Sequence, residues 1–289
     1  MPGLSAAELS FLEGGIAQDL RNDGRGREDF RSFSIQLDVI SQASGSARVR
    51  LGATDILASI KAELGSPPAE FPHLGRLELA VEISPTAGPE FEGRGGEELS
   101  AELGKALERS FAGGANGTGA AVDLAALSVV EGKTCWVLYA DVLVLNADGN
   151  ILDASAIGIK AALSNTRIPK VEVLAGEGDE EGELELNDDP DECARVSTAA
   201  VPLIVTLTKV GRHYIADATG DEEAQMSSAL SVAVNEKGQL CGVTKRGSAG
   251  IDPSVISDML SVARRIGKRL LAKVDAEISL AESRLESET

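Results

Sequence analysis

TCWVLYADVLVLNADGNILDASAIGIKAAL, running from Thr134 to Leu163, is the stretch whose reading decides the fold. It opens with about ten residues rich in Val, Leu, Trp and Tyr, the composition of a buried strand. Asp148-Gly149-Asn150 follows as a tight turn, because Gly and Asn accept positive φ at little steric cost. The next residues, DASAIGIKAAL, are good helix formers, with Asp153 placed to cap them. Strand, glycine turn and helix N-terminus together form an arrangement that holds an anion, since free backbone N–H groups point outward there. Whether this turn still holds one is the question for the whole chain.

The totals bound the answer. A chain of 289 residues allows one large domain or two ordinary ones, and 43% hydrophobic content is enough for a core. The apolar runs are near ten residues, too short to span a bilayer. The opening MPGLSAAELSFLEGG lacks the basic region and apolar core of a secretory signal. Cys135, Cys193 and Cys241 show no paired spacing and read as buried thiols in a reducing compartment. With only His73 and His213 in the chain, neither a His-based metal site nor a triad is expected, and no cofactor or metal is. The net charge of −19 is the opposite of what a stand-alone nucleic-acid binder carries, so any nucleic-acid contact must come from a local basic patch or be shared with partners. Aromatic content of 3% is too low for a base-stacking platform.

Outward from the central stretch, Ser5-Ala6-Ala7-Glu8 matches a capping box ahead of a short helix ending near Gln18. DLRNDGRGREDFR (19–31) reads as a solvated loop of exchanged salt bridges, or as a segment that wraps a neighbouring subunit. Strands are expected at 33–40, within 44–64 about a turn at Gly52, and at 74–84. Residues 84–98 form a Pro/Gly loop carrying Arg94. In 98–111, Leu99, Leu103, Leu107 and Phe111 make an apolar helical stripe, with Lys105 and Arg109 four apart on another face. GEGDEEGELELNDDPDE (176–192) is acidic and Gly-rich, the composition of a mobile surface loop or linker. Beyond it, 201–210 and 213–219 read as paired strands, and SALSVAVN and QLCGVTKRG as a hairpin about Glu236-Lys237-Gly238. Asp252-Pro253 starts a helix with an apolar stripe from Val255 to Ile278. Arg264, Arg265, Lys268, Arg269 and Lys273 fill its other positions, and its polar end is expected to fray. Asp221, Glu222 and Glu223 read as a solvated charge run. This order predicts an α+β protein, each half a sheet with helices on one face. Four segments follow: an N-terminal helix and arm (1–31), a core domain (32–175), the acidic linker (176–195) and a C-terminal domain (196–289).

Several long motifs carry a resemblance. DLRNDGRGREDFR, SGSARVRLGATDILASIKAELG, PEFEGRGGEEL, WVLYADVLVLNADGNILDA, KAALSNTRIP and VPLIVTLTKVG followed by DAT resemble the RNase PH superfamily from about Gly14 to Lys273. Within it they look most like the core subunits of the eukaryotic exosome, in their plant or green-algal form. The resemblance implies an RNase PH fold: a core domain like domain 2 of ribosomal protein S5, then a smaller α/β C-terminal domain. It also implies a six-membered ring of RNase PH-like subunits, capped by proteins with RNA-binding domains of the S1 and KH types. The implied role is 3′→5′ RNA processing and decay in nucleus, nucleolus and cytoplasm, away from membranes.

The same resemblance speaks against catalysis by this copy. Active members place an Arg and a Thr or Ser after an Asp-Gly-Gly turn to hold phosphate. Here Asp148 and Gly149 agree, Asn150 replaces the second Gly, Leu152 stands in the arginine's place and Asp153 in the hydroxyl's. Leu offers no donors where Arg offers a fork, and a carboxylate ~4 Å from a phosphate costs roughly 4 kcal/mol at an effective dielectric near 20. Active members also carry two aspartates six apart, and those places fall on Glu223 and Ala229. The implied chain is a non-catalytic ring subunit, with a phosphorolytic exoribonuclease of altered site as the alternative. Candidate RNA contacts are Arg94, Lys105 and Arg109, the last matching an RNA-path arginine of archaeal relatives.

Overall fold

A computed structural model describes residues 5–114, 117–173, 184–187 and 192–288. The chain opens with α1 (Ala6–Ala17), where Ser5 and Glu8 form the expected capping box. Then come β1 (Phe33–Leu37), β2 (Gly45–Leu51), β3 (Thr54–Gly65), β4 (Arg76–Ile83), α2 (Glu97–Phe111), β5 (Ser128–Val130), β6 (Thr134–Asn146) and α3 (Ile151–Ser164). Four short strands follow: β7 (Arg167–Ile168), β8 (Val171–Val173), β9 (Leu184–Leu186) and β10 (Ala194–Arg195). The last part comprises β11 (Leu203–Val210), β12 (His213–Ala216), α4 (Gly220–Glu223), β13 (Ser228–Val234), β14 (Leu240–Arg246) and α5 (Pro253–Glu288).

Two sheets result. The first has the order β1-β2-β3-β6-β4, with β5 beside β6, and only the β4–β6 pair is parallel. That pair needs a crossover, and α2 supplies it, its Leu103, Leu107 and Phe111 buried as the stripe predicts. The second sheet, β12-β11-β13-β14, is antiparallel throughout. The acidic stretch falls largely outside the described residues, but Leu184–Leu186 within it pair with Val171–Val173 as a strand rather than a loop.

The helix of the opening stretch sits differently from expectation. The chemistry predicts helices on one face of each sheet; α3 instead lies between the two, packed on β2 and β3 on one side and on β11 on the other. Every residue from Ile151 to Leu163 is buried. Its small residues make this possible: a Cβ on Gly158 would stand 3.2 Å from the Ala58 methyl. Lys160, buried with them, reaches Asp275 on α5 at 3.1 Å. One apolar cluster therefore runs through both sheets, α3 and α5.

Two smaller expectations also change. Helix α5 does not fray early: it continues to Glu288, with Ala281 and Leu285 packed on the core. Of the three thiols only Cys135 is buried; Cys193 and Cys241 are half-buried.

Candidate functional site

β6 ends at Asn146 and hands the chain to α3 through Asp148-Gly149-Asn150. Gly149 has φ 75° and Asn150 φ 53°, the left-handed values expected of this turn. Gly149 is also required by contact, since a Cβ there would lie 2.6 Å from the Ala218 carbonyl oxygen. That close approach brings the turn against the second half of the chain. Thr54 Oγ1 donates to the Gly149 carbonyl at 2.8 Å, and Arg31 Nη1 donates to that of Asp148 at 2.7 Å.

The anion position at this turn is filled from within. The backbone N–H of Asn150 donates to Glu223 Oε1 at 3.0 Å. Arg246 stands 3.8 Å from the same carboxylate oxygen. Burial pushes the Glu223 carboxyl above its ordinary value, against the pull of Arg246 and the Asn150 N–H. Ala229 is the cross-strand partner of Arg246. Of the two places matched to the acidic pair, Glu223 meets the turn matched to the phosphate site and closes it, while Ala229 lies on β13 beside Arg246. The expected solvated run at 221–223 is corrected here: Glu222 is buried against Arg21, and only Asp221 is exposed.

Asp153 does not cap α3. The helix begins at Ile151 with Asn150 in the N-cap place, and no side chain caps it there. Asp153 is the third helical residue and is 0% exposed, turned toward the second sheet. Its carboxyl accepts from the Thr206 N–H at 2.8 Å, from Thr206 Oγ1 at 2.6 Å and from Asn150 Nδ2 at 3.0 Å. Thr206 in turn meets Ser231 Oγ at 2.8 Å. Burial raises the Asp153 carboxyl to about 7, opposed by the Thr206 and Asn150 hydrogen bonds. Leu152, 1% exposed, lies in the shared core rather than at the mouth of a phosphate pocket.

The arm at 19–31 supplies what sequence reasoning missed. Its plain reading as a solvated loop fails for three arginines. Arg21, buried, pairs with Glu222 and donates to the carbonyls of Ala216 and Asp217, each at 2.8 Å. Arg25 and Arg31 both reach the fully buried Asp217, at 2.9 and 2.8 Å. Burial alone would raise Asp217, but the Arg31 hydrogen bonds and charge outweigh it and hold the carboxyl below its usual range. Asn150 Nδ2 also donates to Asp217, at 2.8 Å. The signal was present as arginines clustered in the arm and the Asp of the DAT segment, but their partners lie nearly two hundred residues apart.

Arg94, Lys105 and Arg109 are not part of this cluster. Arg94 is exposed, 3.9 Å from Glu97, and Lys105 and Arg109 lie on the exposed face of α2 without an ion-pair partner among the described residues. Within those residues no group of three or more His, Cys, Asp or Glu is arranged to hold a metal ion, and no helix is long and apolar enough to cross a membrane.

Two sheets sharing one buried helix, with an anion turn facing an acidic turn across them, define a two-domain RNase PH-type protein. The 3′ exoribonuclease family, domain 1, matches residues 29–169, and domain 2 of that family matches residues 200–266; the chain belongs to the RNase PH family. Among relatives, it is 35% identical to a putative exosome complex exonuclease RRP42 of Dictyostelium discoideum, covering 95% of this chain and 98% of that protein. It is 37% identical to the exosome complex component Rrp42 of Thermococcus kodakarensis, over 90% of this chain and 91% of that one. A solved chain of the Archaeoglobus fulgidus exosome with RNA bound to the active site superposes with a TM-score of 0.76 at 29% identity, covering 92% of this chain and 97% of that one.

Proposed function

We propose that this chain is a non-catalytic subunit of an exosome ring, supporting 3′→5′ RNA processing and decay through its neighbours. The observation that carries the reading is the Asn150 N–H held by Glu223 at 3.0 Å. Phosphorolysis needs an inorganic phosphate at the α3 turn, and an internal carboxylate competes for the donor that would receive it. Leu152 supplies no guanidinium, and Ala229 leaves Glu223 without an acidic mate. The partners are other RNase PH-like subunits and cap proteins of the S1 and KH types, with action in nucleus, nucleolus and cytoplasm. We place the domain boundary in the acidic stretch at 176–195.

The test is direct. Purified chain incubated with labelled RNA and inorganic phosphate should release no nucleoside diphosphate. Release that disappears in Glu223→Gln would overturn the reading. The description of the Dictyostelium relative as an exonuclease favours that second reading, a phosphorolytic enzyme of altered site. Arg94, Lys105 and Arg109 are proposed as RNA contacts. Reversing Lys105 and Arg109 together should weaken RNA protection by the assembled ring without dissolving it. Unchanged protection would make them ordinary surface residues.

A further inference from the structure

The sequence from Ser261 to Lys273, SVARRIGKRLLAK, places five cations in a chain of net charge −19 and includes no Asp or Glu. On α5 all five, Arg264, Arg265, Lys268, Arg269 and Lys273, are exposed, while Ile266, Leu270 and Leu271 face the core. The four-residue spacing of Arg264 and Lys268, and of Arg265, Arg269 and Lys273, sets them in two adjoining rows over ~14 Å of helix. Glu28 pairs with Arg265 and Arg269. Arg264, Lys268 and Lys273 have no ion-pair partner among the described residues. The β13–β14 turn passes directly beneath: a Cβ at Gly238 would stand 3.0 Å from Lys268 Nζ and 3.1 Å from Arg264 Nε. Lys237, exposed on that turn, extends the cationic surface, with Glu236 beside it.

We infer that this ridge on α5 is a second nucleic-acid contact, holding the phosphate backbone of RNA with residues other than those matched to the family's site. Uncompensated like charges repel one another, and a polyanion relieves that repulsion while releasing its own counterions. Composition favours nucleic acid over an acidic protein. A protein interface needs an apolar, desolvated centre, and no large apolar side chain is exposed between Ser261 and Lys273; Leu280 farther along the helix and Leu240 at the start of β14 lie outside that stretch. Nucleic-acid interfaces are polar and strongly cationic, as this surface is. Arginine forks suit phosphate oxygens without reading bases. The choice of RNA as the polyanion rests on the proposed ring function; the existence of the anion surface does not.

The experiment measures binding of a labelled single-stranded RNA twenty-mer to the full chain by fluorescence anisotropy across a salt series. The variant Arg264→Gln/Lys268→Gln/Lys273→Gln is compared with Arg50→Gln/Lys61→Gln/Arg195→Gln, which changes net charge equally. The ridge variant should bind about tenfold or more weakly. Its salt slope should fall by about 2, from three contacts at ~0.7 each on a single strand, while the control stays near the parent. Absence of RNA binding by the parent, equal loss in both variants, or an unchanged slope in the ridge variant would overturn the inference. So would displacement of RNA by poly-glutamate as effective as by unlabelled RNA, which would assign the surface to an acidic protein. Phosphorolysis is read separately: a chain that released nucleoside diphosphates yet bound RNA through α5 would end the proposed function and leave this site standing.

Discussion

Asp153 carries an unusual combination: a carboxyl with no contact to solvent, three hydrogen-bond donors, and no cation among them. Hydrogen bonds favour its charged form and burial the neutral one, and burial prevails, raising the group from 3.8 to about 7. The folded protein therefore binds this proton more tightly than the unfolded chain. Its contribution to stability is fully present below about pH 4 and is lost as pH rises through about 7, at up to ~1.4 kcal/mol per pH unit. Asp217 acts in the opposite sense: with its carboxyl held low by Arg31, its contribution is lost as pH falls through the acid range. Asp153→Asn keeps the shape and removes the titration. Its amide can donate to Thr206 Oγ1, which then donates to Ser231. Urea midpoints measured between pH 4.5 and 7.5 should decline more steeply in the parent than in Asp153→Asn. Asp153→Ala leaves the Thr206 N–H without its acceptor, while Asn150 Nδ2 keeps Asp217; it should cost ~2–3 kcal/mol at pH 4.5 and less as pH rises and the parent loses its own Asp153 contribution. Parallel pH profiles for the parent and Asp153→Asn would show that the group stays ionised throughout.

The N-terminal arm, residues 19–31, braces the turn from the opposite side, through Arg21 to Glu222 and through Arg31 to Asp217. Breaking a buried pair strands a charge, whereas replacing both members with apolar groups of similar size does not. Arg21→Met should therefore destabilise by ~3 kcal/mol or more, and Arg21→Met/Glu222→Leu by clearly less, in chemical denaturation. A double variant as unstable as the sum of its singles would show that the two side chains act independently. This brace was not legible in the sequence because Arg, Asp and Gly in close succession describe a solvated loop equally well, and the deciding partners are distant. Helices α2 and α5 were legible because each buries one stripe and wets the other, which is what 3.6-residue periodicity reports. Helix α3 was legible as a helix and misplaced as a layer: a segment apolar on every side records burial but not the number of sheets that bury it. The candidate site shows the same division. Gly149, Asn150 and Glu223 do come together, but Asp153 at the third helical position reads as a favourable N-terminal charge, and only its contact with Thr206 reveals otherwise.

Because α3 belongs to both sheets, the two halves of the chain are not independent in energy, and a single apolar cluster passes through them. Inter-domain surfaces in most chains are polar enough to allow each part to melt alone. Here unfolding the second sheet would expose the β11 face of α3, including the Asp153–Thr206 hydrogen bonds, and so remove support from the first. The sole tryptophan, Trp136, lies on β6 of the first sheet, while α5 is a large share of the helix signal and packs chiefly on the second. Urea unfolding followed by Trp136 fluorescence and by far-ultraviolet dichroism should thus give coincident transitions. Leu152→Ala opens a cavity in the shared core and should shift both midpoints together, by ~3 kcal/mol in stability. Separate midpoints, or a shift in one probe alone, would mean that α3 is held by one sheet only. A ring subunit benefits from this coupling, because the angle between its halves sets the surfaces it offers to its neighbours, and a shared helix keeps that angle from varying.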